Sequence, residues 1–399
     1  MFRYMKIIYA SCLMTEKKIE KTFNNITDYD GFQVQKFHKL LVEGFRLNKC
    51  KVDAITVLPV TRNNSSKKVY KGEIEYEQGV TYHYPGIINL PVIKHFFAIM
   101  TSMFRFISIA RKNRDVVLIA DCLNQSVALG CVLGAKVMKV PSVGIVTDLP
   151  DLLLGREDKI KNKIIRMYDR YVLLTEQMND YIVSKITHKD KPYIVIEGMV
   201  DLNMKRETVS EEEKYSKKVC MYAGILDRKY GIEMLAKGFD KAHIPDAELH
   251  IYGDGDFREE LQELCKRNSA IKYFGLKPNS YIVKEQQKAT LLINPRPSNE
   301  EFTKYSFPSK NMEYLASGTP ALLTRLPGIP EEYWSYAFFV ENETEYGMLL
   351  RLREILNMSH RELTEKGFRA KRFVMENKNN KMQARKILEF VEKVHNANK

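Results

Sequence analysis

The chain is organised around residues 294–320, which read NPRPSNEEFTKYSFPSKNMEYLASGTP. An apolar run at 289–293 comes just before this stretch and predicts a buried strand, which the following prolines end. After a loop, the pattern predicts a helix of about ten residues that begins at Ser309 and ends at Gly318. The stretch is therefore a junction between a strand and a helix in an α/β domain.

This junction offers two kinds of binding group. Ser306 and Ser309 are both candidate N-caps, and the helix entered there directs free backbone N–H groups and a positive dipole end into the loop. Glu313 lies one turn further along the same helix face as Ser309. Amides suit an anion and a carboxylate suits hydroxyl groups, so the pair fits a sugar nucleotide, which carries a diphosphate and a ribose. A junction without a ligand is the alternative.

The same stretch resembles the donor-binding segment of retaining glycosyltransferases of the GT-B fold, especially glycosyltransferase family 4. In that family two glutamates are separated by seven residues, and the second, which holds the ribose, corresponds to Glu313. The first contacts hydroxyls of the donor sugar and corresponds to Tyr305, where this sequence departs from the family. The Phe-Pro-Ser-Lys form at 307–310 is similar to members that assemble polysaccharides. The resemblance implies donor contacts from Tyr305, Ser306, Phe307, Pro308, Ser309, Lys310 and Glu313.

A second glycine-containing loop follows the predicted strand 218–222. Gly224 allows a tight turn, and Arg228 and Lys229 place cations beside the start of the next helix, a combination that suits a pyrophosphate. The loop resembles the G-x-L-x-x-x-K-G phosphate loop of the same family, with one basic residue shifted in register. The resemblance implies that Arg228 and Lys229 stabilise the departing diphosphate.

Two further turns complete the predicted donor site. Gly253 and Gly255 lie where the family has Gly-x-Gly, and we expect the overlapping Asp254-Gly255-Asp256 to bind no metal. Gly275 and Leu276 are similar to the family's turn against the nucleobase, where a glycine lets the backbone approach a planar ring. No metal and no cofactor other than the donor are expected.

The first half of the chain predicts a parallel, doubly wound sheet, because apolar strands alternate with helical patterns at 32–46 and 125–138. The loop before the first of these helices carries Gly31, where the family has a glycine-rich loop. Residues 63–78 are polar and predict a surface loop or hairpin. The predicted strands are 6–12, 51–59, 116–120, 142–147, 171–175 and 193–197.

Asp148 follows one of these strands directly, where α/β folds place their ligand groups. In the family a polar side chain at this strand end lies near the anomeric carbon of the donor, so the resemblance makes Asp148 a candidate catalytic residue. A turn or N-cap aspartate is the alternative, and Asp151 is a second candidate.

The composition is that of a soluble globular protein with two domains: 399 residues, 44% hydrophobic and 28% charged. No C-x-x-C pair occurs among the six cysteines, which predicts reduced thiols and a cytoplasmic setting. The net charge is +13, and the first 200 residues hold 30 Lys and Arg against 20 Asp and Glu. This excess favours an anionic membrane surface or acceptor, and no nucleic-acid-binding motif accompanies it.

Residues 92–114 are apolar, rich in aromatic side chains and basic at the end. They fit either a helix lying in a membrane interface or a core helix packed on the sheet. No uncharged apolar run of 18 residues occurs, so no transmembrane helix is expected.

These patterns predict a GT-B architecture, with two Rossmann-like domains facing across a cleft. We expect an acceptor domain at 1–200, a nucleotide-sugar domain at 201–380, and a last helix at 381–399 that crosses back to the first domain. The resemblance implies transfer of a sugar from a nucleoside diphosphate sugar to an acceptor hydroxyl, with retention, in polysaccharide or glycolipid assembly. A non-catalytic nucleotide-sugar-binding partner and a nucleotide-sugar epimerase of the same fold are the alternatives.

Overall fold

The structure is a computed structural model that describes residues 5–22, 32–61, 65, 67–204 and 210–397. Gly31, and with it the predicted glycine loop, lies outside the described residues. The chain forms two compact units, which divide at 199/200 and 379/380. Unit 1 comprises residues 1–199 and 380–399, and unit 2 comprises residues 200–379.

Unit 1 is built on an eight-stranded sheet with the order β10-β9-β8-β7-β1-β2-β5-β4. All neighbouring strands in it are parallel except the pair β4 and β5. Its strands, and a separate pair β3 and β6, are β1 (Lys6–Ala10), β2 (Lys51–Ile55), β3 (Val69–Tyr70), β4 (Glu73–Glu77), β5 (Val80–Tyr84), β6 (Ile87–Ile88), β7 (Val116–Asp121), β8 (Ser142–Val146), β9 (Arg170–Leu173) and β10 (Tyr193–Val195).

Helices connect these strands and cover the sheet. They are α1 (Glu16–Thr22), α2 (Phe32–Leu47), α3 (Ile93–Ala110), α4 (Gln125–Met138), α5 (Pro150–Leu154), α6 (Lys159–Met167) and α7 (Glu176–Tyr181), which continues as a π-helical turn over Ile182–Thr187. Strands β7 and β8 are buried along their whole length, as strands of a sheet covered on both faces are. The predicted helix at 125–138 is confirmed.

The region 63–78, predicted as a loop or hairpin, contributes a strand to the main sheet. β4 and β5 are antiparallel and joined by Gln78 and Gly79, which both have positive φ, as a type I′ turn requires. β5 also pairs with β2. β4 is the edge strand, and charged side chains alternate along it. A sequence of this polarity does not form the apolar run by which strands were predicted.

Unit 2 has a six-stranded parallel sheet with the order β13-β12-β11-β14-β15-β16. Counted within the unit this is 3-2-1-4-5-6, the order of a Rossmann fold, whose ligand crevice lies between the first and fourth strands. The strands are β11 (Lys218–Ala223), β12 (Ala247–Tyr252), β13 (Ile271–Tyr273), β14 (Leu291–Asn294), β15 (Ala321–Thr324) and β16 (Phe338–Val340).

Six α-helices surround this sheet in the described part of unit 2. They are α8 (Ile232–Ala242), α9 (Arg258–Arg267), α10 (Asn279–Lys288), α11 (Ser309–Ser317), α12 (Glu345–Leu356) and α13 (His360–Asn377). Short 3₁₀ turns lie at Glu211–Glu213, Arg228–Tyr230, Glu301–Tyr305 and Glu331–Tyr333. Helix α11 begins at the residue that the sequence predicts, and Gly318 ends it with a left-handed φ of 86°.

The last helix, α14 (Asn380–Ala397), belongs to unit 1 and packs against α2. A Cβ at Gly44 of α2 would lie 2.2 Å from the Asn380 carbonyl oxygen, so only glycine allows this approach. The Gln383 side chain donates to the Gly198 carbonyl at 2.7 Å, and Arg170 donates to the Val391 carbonyl at 3.2 Å. The C-terminal helix is thereby bound to the unit that contains the N-terminus.

Candidate active site in unit 2

The loops that follow β11 and β14 meet at the switch point of the unit 2 sheet. Gly231, at the end of the first loop, has a φ of 80°, and a Cβ there would lie 2.0 Å from the Pro295 carbonyl oxygen of the second loop. Only glycine satisfies both the left-handed backbone and this close approach. The two stretches that the sequence singles out therefore form one crevice at the carboxyl ends of neighbouring strands.

Lys310 crosses this crevice from the first turn of α11 to the loop after β11. A Cβ on Gly224 would lie 1.8 Å from the Lys310 Nζ, so the ammonium group rests against the backbone of the predicted phosphate loop. The same nitrogen lies 5.5 Å from the centre of the Tyr222 ring. Within the described residues Lys310 has no hydrogen bond to a carboxylate or carbonyl. The arrangement holds a buried cation whose donors are available to a ligand.

The electrostatics of this cation are unusual. The pKa of the Lys310 ammonium is lowered from 10.5 to about 8, mainly by burial and also by the charge of Arg296, and the charge of Glu313 partly opposes these effects. Removing a cation from water disfavours its charged form, and pKa values lowered in this way are frequent at functional sites. An anion in the crevice would reverse this effect.

Arg296 is a second cation of this site and was not identified from the sequence. Its guanidinium lies 4.9 Å from the centre of the Tyr230 ring and 5.5 Å from that of Phe302. The two aromatic rings hold the arginine in the loop after β14, close enough to Lys310 to influence its pKa. Arg296 follows a predicted strand closely, and ligand groups of α/β folds often lie at that position. This spacing is the sequence signal that could have identified it.

The N-terminus of α11 differs from the sequence-based expectation. Neither Ser306 nor Ser309 caps the helix: Pro308 occupies the N-cap position, and no side-chain cap hydrogen bond is formed there. Proline there has an extended backbone, and its carbonyl accepts from the Asn311 N–H at 2.9 Å, so the amides before Asn311 are the ones that face the loop. The Ser306 Oγ is buried and has no hydrogen-bond partner in the described structure, and Phe307 is buried against Tyr333. Ser306 is thus suited to a ligand contact, whereas Phe307 packs in the core.

Glu313 and Tyr305 lie on either side of these amides along the chain. Glu313 is half-buried in the middle of α11, between neighbours that are fully buried, and its charge acts on Lys310. Tyr305 is half-buried at the end of the 3₁₀ turn that precedes α11. Carboxylate, ammonium and amides are therefore contributed by a single segment.

The two cations predicted from the loop after β11 lie in a different environment. Arg228 forms ion pairs with Glu233 and Glu260, each at 2.9 Å, and Lys229 lies 3.9 Å from Asp227. These side chains are about half exposed, so water screens them. Arg228 thus connects the loop to α8 and α9, whereas Lys310 and Arg296 lie in the crevice itself.

The Gly-Asp-Gly-Asp turn after β12 is packed against the phosphate loop. A Cβ on Gly253, whose φ is 137°, would lie 1.7 Å from the Gly224 carbonyl oxygen, and one on Gly255 would lie 2.5 Å from the Leu226 carbonyl carbon. These glycines are required by close backbone approach. Their contact fixes the position of Gly224.

The aspartates of this turn bond to the protein. Asp254 pairs with Arg258 at 3.3 Å, and the Asp256 carboxylate accepts from the Arg228 backbone N–H at 3.0 Å. Among the described residues no group of three or more His, Cys, Asp or Glu side chains is placed to hold a metal ion.

The turn after β13 lies next to the same region. Gly275 has a φ of 66°, and its carbonyl accepts from the Gly253 N–H at 3.0 Å. Leu276, which follows, is largely exposed, and the Phe274 ring stacks on Tyr252 at 4.9 Å. Backbone and exposed apolar surface are thus available beside the crevice for a planar ring.

Asp148 and Asp151 lie in unit 1, after β8. Asp148 is exposed at the carboxyl end of that strand. Asp151 has a structural role: its carboxylate accepts from the Asp158 N–H at 2.7 Å, from the Asn162 amide at 3.0 Å and from the Tyr181 hydroxyl at 3.1 Å. Asp151 thus holds the segment between α5 and α6, and Asp148 is the more exposed of the two candidates after this strand.

Two glycine substitutions should separate folding from binding. Gly253→Ala is expected to destabilise the protein by roughly 2–5 kcal/mol, because the new methyl group meets backbone and the φ is unfavourable. Gly224→Ala displaces mainly the flexible end of Lys310, so it should weaken nucleoside diphosphate binding with a smaller loss of stability. Urea unfolding and titration calorimetry measure the two effects. A Gly253→Ala protein with the wild-type urea midpoint would contradict the packing described.

Comparisons with known proteins concern the fold and the sequence pattern of unit 2. Residues 217–357 match the family model described as glycosyl transferases group 1. No protein of curated function matches the sequence. Among solved structures, sucrose-phosphate synthase from Thermosynechococcus elongatus is 14% identical with a TM-score of 0.63, and the alignment covers 98% of this chain and 100% of that one.

Two other structures are similar over almost the whole chain. Trehalose 6-phosphate synthase from Burkholderia multivorans is 12% identical, with a TM-score of 0.67 and coverage of 99% of this chain and 98% of that one. Anabaena Alr3699/HepE in complex with UDP is 11% identical, with a TM-score of 0.64 and coverage of 98% and 100%. At these identities the likeness establishes the fold. The chain therefore has the GT-B fold of two Rossmann-like domains, and its unit 2 carries the sequence pattern of group 1 glycosyl transferases, which together support a glycosyltransferase that uses a nucleotide sugar.

Proposed function

We propose that the protein is a retaining glycosyltransferase similar to family 4, which transfers a sugar from a nucleoside diphosphate sugar to an acceptor hydroxyl. The observation that carries the proposal is the position of Lys310. Its buried ammonium lies against Gly224 beside the uncapped N-terminus of α11. Cations and amides converging in this way suit a diphosphate.

The proposed mechanism is electrostatic. When the bond between the anomeric carbon and the diphosphate breaks, negative charge develops on the leaving phosphate, and Lys310, Arg296 and the α11 amides stabilise it. Lys229 adds a more distant positive charge, and Arg228 positions the loop. The acceptor hydroxyl forms the new bond to the anomeric carbon and gives its proton to an oxygen of the departing diphosphate.

The remaining donor contacts follow from the same segment. Glu313 accepts hydrogen bonds from the ribose hydroxyls, Tyr305 contacts the donor sugar, and Ser306 bonds to a phosphate or sugar oxygen through its buried Oγ. The nucleobase lies against the turn containing Gly275 and Leu276. Asp148 is proposed to act near the anomeric carbon.

The proposed acceptor is a glycan or lipid-linked hydroxyl in cell-surface polysaccharide assembly, as the Phe-Pro-Ser-Lys form of the donor segment suggests. We place the reaction in the cytoplasm, with peripheral contact to an anionic membrane. The six cysteines, all within the described residues, are free thiols, which suits a reducing compartment.

A non-catalytic nucleotide-sugar-binding protein is the second candidate, because Tyr305 occupies the place of a family glutamate. Incubation of the purified protein with UDP-, GDP- and ADP-sugars distinguishes the two functions. A transferase releases nucleoside diphosphate in the presence of acceptor, whereas a binding protein gains thermal stability from the same donor and releases none. An epimerase would instead convert the donor into an isomeric nucleotide sugar.

Sugar transfer is expected to continue in the presence of EDTA, because lysine, arginine and backbone amides neutralise the diphosphate. The measurement is nucleoside diphosphate release with chelator and after addition of Mg²⁺ or Mn²⁺. Loss of turnover with EDTA and recovery with either ion would make Asp254 and Asp256 candidate ligands instead.

A further inference from the structure

Helix α3 of unit 1 has one packed and one open face. Its packed face rests on α4, where a Cβ on Gly130 would lie 2.4 Å from the Ile99 carbonyl oxygen and one on Gly134 would lie 2.9 Å from the Phe106 ring. Ala98, Ser102 and Phe106 are buried in this contact. The small residues of α4 allow the two helices to lie unusually close, so α3 is held firmly as part of the layer that covers the sheet.

The opposite face of α3 is apolar and exposed to solvent. The side chains at 93, 96, 97 and 104 recur at helical spacing and project from one side of the helix. We call this set, with the preceding Val92, the α3 outer face: its exposed fractions are Val92 80%, Ile93 45%, Phe96 63%, Phe97 39% and Phe104 59%. Three phenylalanines on one exposed helix face indicate a surface that contacts another apolar phase.

The charge around this face has one sign. Residues 92–114 contain five Lys and Arg and no Asp or Glu, and the first carboxylate is that of Asp115. Arg111, Lys112 and Arg114 are exposed at the end of the helix. Helix α6, which also packs on α4, exposes Ile160. An apolar face bordered by cations is complementary to a surface that is anionic outside and apolar beneath.

Helix α3 is the one helix in the described part of the chain that is long and apolar enough to cross a membrane, by length and composition. One of its faces is occupied by α4, however, and it joins strands β6 and β7 within unit 1. A helix held in this way can bury only its open face, to the depth of the headgroup region.

We propose that the α3 outer face docks unit 1 on the surface of an anionic lipid bilayer, with its phenylalanines among the upper acyl chains and Arg111, Lys112 and Arg114 against the headgroups. This surface is independent of the donor site in unit 2. Its loss would leave the nucleotide chemistry unaffected, and failure of the proposed glycosyl transfer would leave the docking surface intact.

The test is co-sedimentation of the full chain with phosphatidylcholine vesicles that contain or lack phosphatidylglycerol. Wild type is expected to bind the anionic vesicles at least about tenfold more tightly than the neutral ones, and less tightly as salt rises. Phe96→Ser with Phe104→Ser should lower binding to anionic vesicles by about tenfold or more. A variant with Arg111→Gln, Lys112→Gln and Arg114→Gln should lose the preference for anionic lipid.

Matched controls come from α13 in unit 2. Phe368→Ser removes a phenylalanine of similar exposure, 55%, and Arg361→Gln, Arg369→Gln and Arg372→Gln remove three exposed cations. Both controls should bind vesicles as wild type does. If the Phe96 and Phe104 variant bound like its control, the proposal would be overturned. It would also be overturned if wild type bound no vesicles and instead formed a dimer that this variant dissociates.

A reporter at the face measures insertion directly. Trp334 is the single tryptophan of the chain, so Phe104→Trp in a Trp334→Phe background places the only indole on the α3 outer face. Its emission should shift to the blue with anionic vesicles and be quenched by lipids brominated high on the acyl chain. Emission that stays unchanged while the protein co-sediments would show that another surface binds.

Discussion

Lys310→Met is expected to weaken binding of the cognate nucleoside diphosphate by roughly 30- to 100-fold, the effect of losing charge-assisted hydrogen bonds in a shielded site. Methionine keeps an unbranched side chain to pack over Tyr222 and removes only the ammonium group. Titration calorimetry with UDP, GDP and ADP measures the change. The matched control is Arg228→Ala with Lys229→Ala, which should weaken binding less, because those side chains are half exposed and Arg228 has two carboxylate partners.

The same variant should be more stable than wild type when no ligand is present. Burial lowers the pKa of Lys310 from 10.5 to about 8, so the unfolded chain binds the proton more tightly than the folded one. The resulting loss of stability, up to about 3 kcal/mol, is fully present below pH 8 and disappears as the pH rises toward 10.5. Lys310→Met removes it. Urea unfolding at pH 7 should therefore show a gain in stability together with the loss of binding.

Ligand affinity should follow the opposite course with pH. In the proposed site the protonated ammonium binds the phosphate, so affinity should be higher below about pH 8 and fall above it, approaching a tenfold loss per pH unit. Lys310→Met should show no such fall. If Lys310→Met bound like wild type while the Arg228 and Lys229 variant lost binding, the diphosphate would contact the loop after β11 rather than the start of α11.

Glu313→Gln is expected to weaken binding of both the nucleotide sugar and the free nucleoside diphosphate by roughly tenfold or more, since both carry the ribose that we propose its carboxylate binds. Glutamine preserves the shape of the side chain and removes the charge. Two calorimetric titrations, one with each ligand, measure the effect.

Tyr305→Phe provides the matched comparison. It removes one hydroxyl from the residue that corresponds to the sugar-binding position of the family. Turnover should fall while nucleoside diphosphate affinity stays close to that of wild type. Equal nucleoside diphosphate affinity in Glu313→Gln and wild type would show that the segment is wrongly aligned with the family's donor site.

Much of the fold could be predicted because apolar strands and helical periodicity are local features. The strands beginning at Lys6, Val116 and Ser142 and the helix at 125–138 begin where the sequence predicts them. The sequence did not predict that β4 belongs to the main sheet, because an edge strand needs apolar side chains on one face only. Strand order in both sheets depends on pairing between distant residues, which no local pattern specifies.

The parts of the candidate site that could be predicted are those whose binding groups lie within one short sequence motif. Gly224, Lys310 and Glu313 are all within reach of one crevice, but the sequence gives no measure of which cation is buried. Arg228 and Lys229 have the expected spacing, yet acidic residues of α8 and α9 pair with Arg228. Arg296 was missed because its position depends on the rings of Tyr230 and Phe302, of which Tyr230 lies more than 60 residues away in sequence.

The most direct test of the central claim is transfer itself. Purified wild type, Lys310→Met and Glu313→Gln are each incubated with UDP-, GDP- and ADP-sugars and a set of glycan and lipid-linked acceptors. The release of nucleoside diphosphate and the amount of glycosylated product are measured for each protein. The account predicts a product from one donor class, with equal amounts of nucleoside diphosphate and product, and large losses in both variants. Turnover that is unaffected by both substitutions would contradict it.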